Sequence, residues 1–493
     1  MLLTSPTVVA SIALLTVAVL VYRTVKSPLW KVPGPTVSAF TSLILKWHEL
    51  GADRTLYIQA LHLQYGPVVR IAPNEVSFTS WAALKEIYCS GGSGYEKTEF
   101  YDLFTIFGRR TMFTTLGKTD HAKRKRILAD RYANSNVMRG SAIAGIQERS
   151  KRFIARCTAG GLAAHDVFCR AYQVALHAYA CDCVTHHLFH PEGTDSLRDV
   201  HDEEMMHQVA ADDSFQNRLV SFYAPTLHRL ASGILNFWWK PRETPLVEQY
   251  VQQTSKQAEA EPFTLLSRLR EKTGDLDEVD TAAECLDHIA AGIDTTGDGL
   301  CFLMWELSQP RSRDIQQRLQ AELRASPDAP LDQLPYLDAV VLEGLRCFPP
   351  IPMSLPRYVP SGGRVIDGTW LPAKTIVSCQ AYSVHRLNPS VFPAAHIFNP
   401  SRWLDEDGDA DRRRLMFAFS NGGRGCIGKH LALAEMKTLL RDTYSAYTTT
   451  PHASMSEESM AMADQLISSR PRDQKCLLHF EPLDSSSVAG LEH

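Results

Sequence analysis

The stretch FAFSNGGRGCIGKHLALAEM, residues 417–436, presents one cysteine in a glycine-rich loop that runs straight into an apolar segment. Gly422, Gly423, Gly425 and Gly428 let the backbone turn sharply and approach a flat, bulky partner. From about Ile427 the residues are apolar at helical spacing and rich in helix formers, so Cys426 falls near a helix N-terminus. Unpaired N–H groups and the helix dipole favour a thiolate there. A thiolate held in such a loop is a metal ligand or a nucleophile. The plain alternative is a buried structural cysteine.

Two further stretches carry chemistry. Residues 283–308, AECLDHIAAGIDTTGDGLCFLMWELS, read as a long buried helix whose middle is wrong for one. Gly292, Gly297 and Gly299 each cost about 1 kcal/mol relative to alanine, and Asp294, Thr295 and Thr296 are polar. A buried centre that breaks helix rules has a functional reason. Glu343 and Arg346 stand one helical turn apart in LPYLDAVVLEGLR. Alone, such a pair contributes a few tenths of a kcal/mol and occurs everywhere.

Together these residues resemble one family. Phe419, Gly422, Arg424, Cys426 and Gly428 reproduce F-x-x-G-x-R-x-C-x-G, the haem-binding loop of the cytochrome P-450 superfamily. A chance match over the whole chain is of order 10⁻⁴. The resemblance implies that Cys426 is the axial thiolate on the iron of haem b, a ligand that pushes electron density onto the metal. It implies that Arg424 pairs with a propionate and that Phe419 packs beside the sulfur. Ala291 to Thr296 is similar to the family's oxygen-binding motif. There glycine opens a groove, Thr295 holds water and bound oxygen, and Asp294 feeds protons inward. Glu343 and Arg346 form the family's E-x-x-R motif. Arg402 in FNPSRW stands where the family supplies a second arginine, so the three would lock the cysteine loop; the commoner P-E-R-F form is absent. His121 fits a further propionate contact, with Lys125 one turn on where arginine is usual. Pairing survives that exchange, but bidentate geometry does not. Arg357 is a third propionate contact by the same resemblance.

The elements that must position these groups follow from the rest of the chain. Its 493 residues, 44% hydrophobic and 22% charged, suffice for a large core. A net charge of −4 argues against a general nucleic-acid binder, and eleven cysteines without framework spacing point to a reducing compartment. Residues 1–22 carry no charge, and Arg23, Lys26 and Lys31 follow. That pattern predicts a membrane anchor with the remainder on the cytosolic side. Basic residues before the apolar core and a cleavage site after it, which a signal peptide requires, are missing. Residues 23–50, with KVPGP at 31–35, read as a hinge, 51–483 as the catalytic domain, and 484–493 as a disordered tail. Within the domain, Val68–Ile71 and Glu75–Phe78 form a hairpin pattern, and a helix begins near Ser80.

Residues 91–118 are aromatic and irregular; the resemblance places them over the distal face of the haem. Residues 140–260 read as largely helical. The aromatic segment 210–240 is core or, by resemblance, a mobile roof that touches the membrane. Cys181, Cys183, His186 and His190 invite a zinc reading, but on a helix the two cysteines point apart and the spacing matches no finger pattern. Residues 404–414 read as a solvated charge run. His121–Arg131 is a basic helix, and Lys123, Arg124 and Arg126, with Lys429, would form a positive face for an acidic reductase.

The expected fold is mainly α: a helical triangular domain with a small β-rich lobe behind a transmembrane helix. The resemblance implies a monooxygenase of the endoplasmic reticulum membrane. It would use O₂ and electrons from an NADPH–cytochrome P-450 reductase to hydroxylate, or to couple or cyclise, a small hydrophobic metabolite of the fungal secondary-metabolism kind. A haem-thiolate isomerase or dehydratase would need neither reductase nor Asp294 and Thr295. A haem sensor or electron carrier would need no substrate pocket.

Overall fold

The computed structural model describes residues 6–159, 164–168, 176–210, 214–239, 241, 243–257, 259–272 and 276–483. Helices dominate, and those that bear on function are α1 (Pro6–Lys26), α2 (Lys118–Leu128), α3 (Leu176–Phe189), α4 (Phe215–Tyr223), α5 (Pro225–Trp238), α6 (Glu278–Ser308), α7 (Pro335–Cys347) and α8 (Lys429–Tyr444). The strands that matter are β1 (Val68–Ala72), β2 (Glu75–Phe78), β3 (Glu96–Lys97), β4 (Arg357–Tyr358), β5 (Ile376–Cys379), β6 (Met462–Asp464) and β7 (Ser469–Pro471).

The core is organised around α6. Asp277 caps it, its carboxylate accepting from the Asp280 amide at 2.7 Å. Ile289, Ile293, Leu300, Leu303 and Leu307 are fully buried, each stabilising the fold by about 1.5–3 kcal/mol. α3 lies along it, and every residue of α3 is buried. Contact at this closeness needs a gap in one helix surface. At Gly292 an added Cβ would stand 2.8 Å from Val184 Cγ2 of α3. The missing side chain at Gly292 therefore serves helix packing as well as the cavity it borders.

The β-rich part supplies the other wall. β1 and β2 pair as the expected antiparallel hairpin, β2 runs parallel to β5, and the sheet order is β1-β2-β5-β4-β3. In the last pair Lys97 stands opposite Arg357, which brings two cations together across 260 residues of sequence. A second hairpin joins β6 to β7, with Ala463 opposite Arg470.

α1 is long and apolar enough to cross a membrane, and none of its apolar window is buried. The segment after it is tied to the domain. The buried Arg70 of β1 donates to the carbonyls of Leu29 at 2.9 Å, Trp30 at 3.3 Å, Val32 at 3.1 Å and Pro35 at 3.1 Å.

Several expectations meet a definite outcome. Cys181, Cys183 and His186 lie in α3, where burial pushes both thiols up; the His186 ring meets the His190 ring edge-on at 4.6 Å. Among the described residues no three His, Cys, Asp or Glu side chains could hold a metal ion. The core reading of 210–240 fails for α5: none of its residues is buried, and Leu230, Phe237 and Trp238 are 84%, 80% and 73% exposed. The charge run at 404–414 is not wholly solvated. Arg412 is buried and donates to the carbonyls of Asp405 and Asp407, closing its own turn. The expected disordered tail lies outside the described residues.

Candidate active site

The cysteine loop is built by backbone hydrogen bonds. The Cys426 amide donates to Phe419 O at 2.8 Å, and the Gly425 amide to Gly422 O at 3.0 Å. Gly422 has φ +72°, and a Cβ there would stand 2.1 Å from the Tyr88 carbonyl oxygen, so only glycine fits. α8 begins at Lys429, three residues beyond the cysteine. Burial pushes the Cys426 thiol up. The Gly428 and Lys429 amides and the ammonium groups of Lys125 and Lys429 pull it back toward the thiolate. Although densely surrounded, Cys426 keeps accessible surface because it lines two cavities.

The first cavity, about 220 Å³, has Cys426, Phe419, Gly428 and Ile427 on one wall and Ala291, Gly292, Thr295 and Thr296 of α6 on another. Between them stand Lys97, His121, Arg357 and Arg424, all buried. Arg357 donates to Tyr101 Oη at 2.9 Å, and Arg424 to Leu116 O at 2.9 Å. Arg357 Nε and Arg424 Nε and Nη2 have no hydrogen-bond partner. The cations strain one another. Burial and then Arg357 pull Arg424 down to about 10. Burial, with Arg357 and Arg424, holds Lys97 well below its ordinary value. Burial, with Lys97 and Arg424, holds His121 down to about 3. Four buried basic groups, of which Arg357 and Arg424 keep unspent donors, form a site for an anion.

Lys125 lies elsewhere. Its ammonium donates to Gly423 O at 3.0 Å and Gly425 O at 2.9 Å, so it braces the cysteine loop instead of facing the cation cluster. Three donors on a flexible stem suit that task, which a planar guanidinium would fill less readily. Arg124 also departs from expectation. It turns inward to Glu284 at 2.9 Å and Asp280 at 3.7 Å and is withdrawn from any positive face.

The Glu343 carboxylate collects the triad. Arg346 donates to both oxygens at 2.8 Å, and Arg402 Nε to Oε1 at 3.0 Å. The Asn399 amide and the Trp403 indole complete it at 2.8 and 2.9 Å. Trp403, like Lys97, was not singled out by its place in the sequence. The signal for Trp403 was its position directly after Arg402. For Lys97 it was a lone cation in an aromatic stretch.

On α6, Thr295 Oγ1 donates to Ala291 O at 2.7 Å, one turn back along the helix. Thr296 Oγ1 donates to the buried Glu435 at 3.0 Å, whose carboxyl burial pushes up to about 8. Asp294 and Thr295 line a second, adjoining cavity of about 150 Å³, and the charge of Asp294 reaches the buried His177.

The family profile described as Cytochrome P450 matches residues 32–477. The chain belongs to the cytochrome P450 family. This P450 is 31% identical to "Cytochrome P450 monooxygenase orf2" of Aspergillus niger over 483 residues, covering 94% of this chain and 96% of that one. It is 28% identical to "Cytochrome P450 monooxygenase stcB" of Emericella nidulans, covering 92% and 88%. It is 26% identical to "Cytochrome P450 monooxygenase aflV" of Aspergillus parasiticus, covering 92% and 91%. Membership implies haem, and the residues fit it. A cysteine lines a cavity whose buried cations match a group bearing carboxylates.

Proposed function

We propose that this P450 is a membrane-anchored haem-thiolate monooxygenase that oxidises a small hydrophobic metabolite. The observation that carries the reading is the pairing of Cys426 with a cluster of buried cations around one cavity. Bound haem b supplies the reductive activation of O₂ and the oxidation of a substrate C–H bond. Cys426 would ligate its iron, and Arg424, Arg357, His121 and Lys97 would hold its carboxylates. Lys125 and Gly422 keep the loop closed against Tyr88 so that the sulfur stays placed. Thr295 holds a proton and an ordered water at Oγ1, and Asp294 refills that position from the second cavity.

Electrons come from an NADPH-dependent reductase. It would dock beside the depression lined by Lys125, Arg413, Lys429 and Cys426, near the exposed Lys123 and Arg126. With α1 in the endoplasmic reticulum membrane and Arg23 and Lys26 following its apolar run, the domain lies on the cytosolic side. The fungal relatives favour a role in secondary metabolism, by hydroxylation or by oxidative coupling or cyclisation.

The reduced protein under carbon monoxide should show the red-shifted Soret band of a thiolate-ligated haem, and Cys426→His should abolish it while haem remains detectable. A His variant that keeps the band removes Cys426 from its role. Thr295→Ala should retain the band and consume NADPH with most electrons recovered as hydrogen peroxide. Parental coupling in that variant would leave Thr295 no part in proton delivery, and consumption without any reductase requirement would favour an isomerase.

A further inference from the structure

The second cavity adjoins the first, sharing Phe113, Asp287, Ala291, Thr295 and Ile351, and the β6–β7 hairpin supplies one of its other walls. That hairpin is anchored from outside. The Asp464 amide donates to Ala52 O at 2.9 Å and the Ser469 amide to Pro350 O at 3.2 Å. Its turn is closed by the Gln465 amide on Ser468 O at 2.8 Å. Arg470, on β7, is therefore held in place by its backbone, and it lines the cavity while only 4% exposed.

Its guanidinium makes no hydrogen bond or ion pair among the described residues, and Nε is fully enclosed without a partner. Nearby acids do not pair with it. The buried Asp298 is engaged by His177 Nε2 at 3.2 Å, and Asp287 lines the same cavity without an ion pair to Arg470. The other arginine of this cavity is differently placed: Arg218 donates to Leu103 O at 2.6 Å and lies over the Phe104 ring. A buried guanidinium carries five donors and cannot shed its charge, and burying it unpaired is unfavourable unless a ligand completes it. Around it the walls are apolar: Phe104, Phe113, Phe215, Ile351, Leu466 and Ile467.

We infer that Arg470 is a substrate-recognition residue, and that the substrate is an apolar molecule carrying one anionic oxygen group, a carboxylate or its enolate or phenolate equivalent. The oxyanion sits against Arg470, and the apolar body extends to Ala291 and Thr295, where this cavity adjoins the haem site. Asp287, on the wall shared with the first cavity, disfavours an anion at that end, so the charge fixes which end of the molecule faces Arg470. The inference rests on the monooxygenase reading and deepens it by naming a substrate class.

The test uses the full-length holoprotein with 2-naphthoate and methyl 2-naphthoate as probes. Binding is followed by equilibrium dialysis and by the Soret shift, with the carbon monoxide spectrum recorded on each sample. The parent should bind the acid at least tenfold more tightly than the ester. Arg470→Gln should abolish that preference while leaving ester binding unchanged, and Arg470→Lys should restore part of it. A parent without the tenfold preference, or Arg470→Gln retaining it, overturns the inference. If Arg470→Gln does not load haem, the parent's acid-to-ester ratio and its reduction in Arg470→Lys decide. A normal thiolate band with no preference sinks this inference alone, whereas absence of the band in the parent sinks the monooxygenase reading.

Discussion

Two buried clusters of basic side chains sit on either side of the cysteine loop, and they are solved differently. Around Glu343, two guanidiniums, an indole and a backbone amide converge on one carboxylate, and the side chains of Glu343 and Arg346 are wholly buried. Around Arg424, four basic groups meet, Arg357 and Arg424 keep donors left over, and burial with neighbouring positive charge holds Lys97, His121 and Arg424 below their ordinary values. The first cluster is complete within the chain and works as scaffold. The second has one neighbouring carboxylate, Asp287, which makes no ion pair with it, and its spare guanidinium donors are left for a further anion. Burial and composition are similar in the two; the presence of a counter-charge separates a structural arginine from a binding one.

The largest expected effect comes from making the first cluster resemble the second. Glu343→Gln leaves Arg346 and Arg402 buried without their carboxylate and should cost about 3–5 kcal/mol. It should yield little folded protein by thermal unfolding and gel filtration; a variant within a few degrees of the parental midpoint would mean that Glu343 is not the keystone described. The reverse experiment is Arg424→Met. It relieves an unpaired buried charge, so the haem-free protein should be as stable as the parent or more so. Haem affinity should nonetheless fall about tenfold or more, the worth of a charge-assisted hydrogen bond. A parallel loss of apoprotein stability would place Arg424 with the scaffold instead.

The smallest effect concerns pH. His121 has a folded-state value of about 3 against an ordinary 6.5, burial being the main cause. Between those limits the unfolded chain binds the proton and the folded one does not. The stability of the haem-free protein therefore falls as pH drops from about 6.5 toward 3. His121→Leu should flatten that part of a chemical-denaturation profile, and haem should flatten it in the parent by bringing carboxylates to the imidazole. An unchanged slope in both cases would separate His121 from the cluster.

What could be read from the chain alone follows from how local each feature is. The cysteine loop is contiguous, so its residue types and spacing carry its chemistry directly. The α6 motif was visible because Gly292, Asp294 and Thr295 offend a pattern that the flanking residues obey. Glu343 and Arg346 lie one turn apart, and Arg402 could be added only by resemblance. Lys97 could not be found in this way. It meets Arg357 through the register of two short strands 260 positions apart, and nothing in either strand's composition encodes that register. Arg124 shows the opposite failure. A basic helix was read as a uniform outer face, whereas one of its turns points at the buried Glu284 of α6. Side-chain direction on a short helix of low amphipathicity is set by what packs against it, and α2 has no apolar stripe to reveal which side that is.

The grip of Arg70 on residues 29–35 bears on how the enzyme would ride its membrane. One planar cation in β1 gathers four carbonyls of the connecting segment. The connection is thereby a bracket and not a tether: bending between Leu29 and Pro35 would break several charge-assisted bonds at once. With α1 in a bilayer, the remaining pivot is the short step from Lys26 to Pro28, where the helix ends. The domain could swivel about that point but could not drift away from the surface.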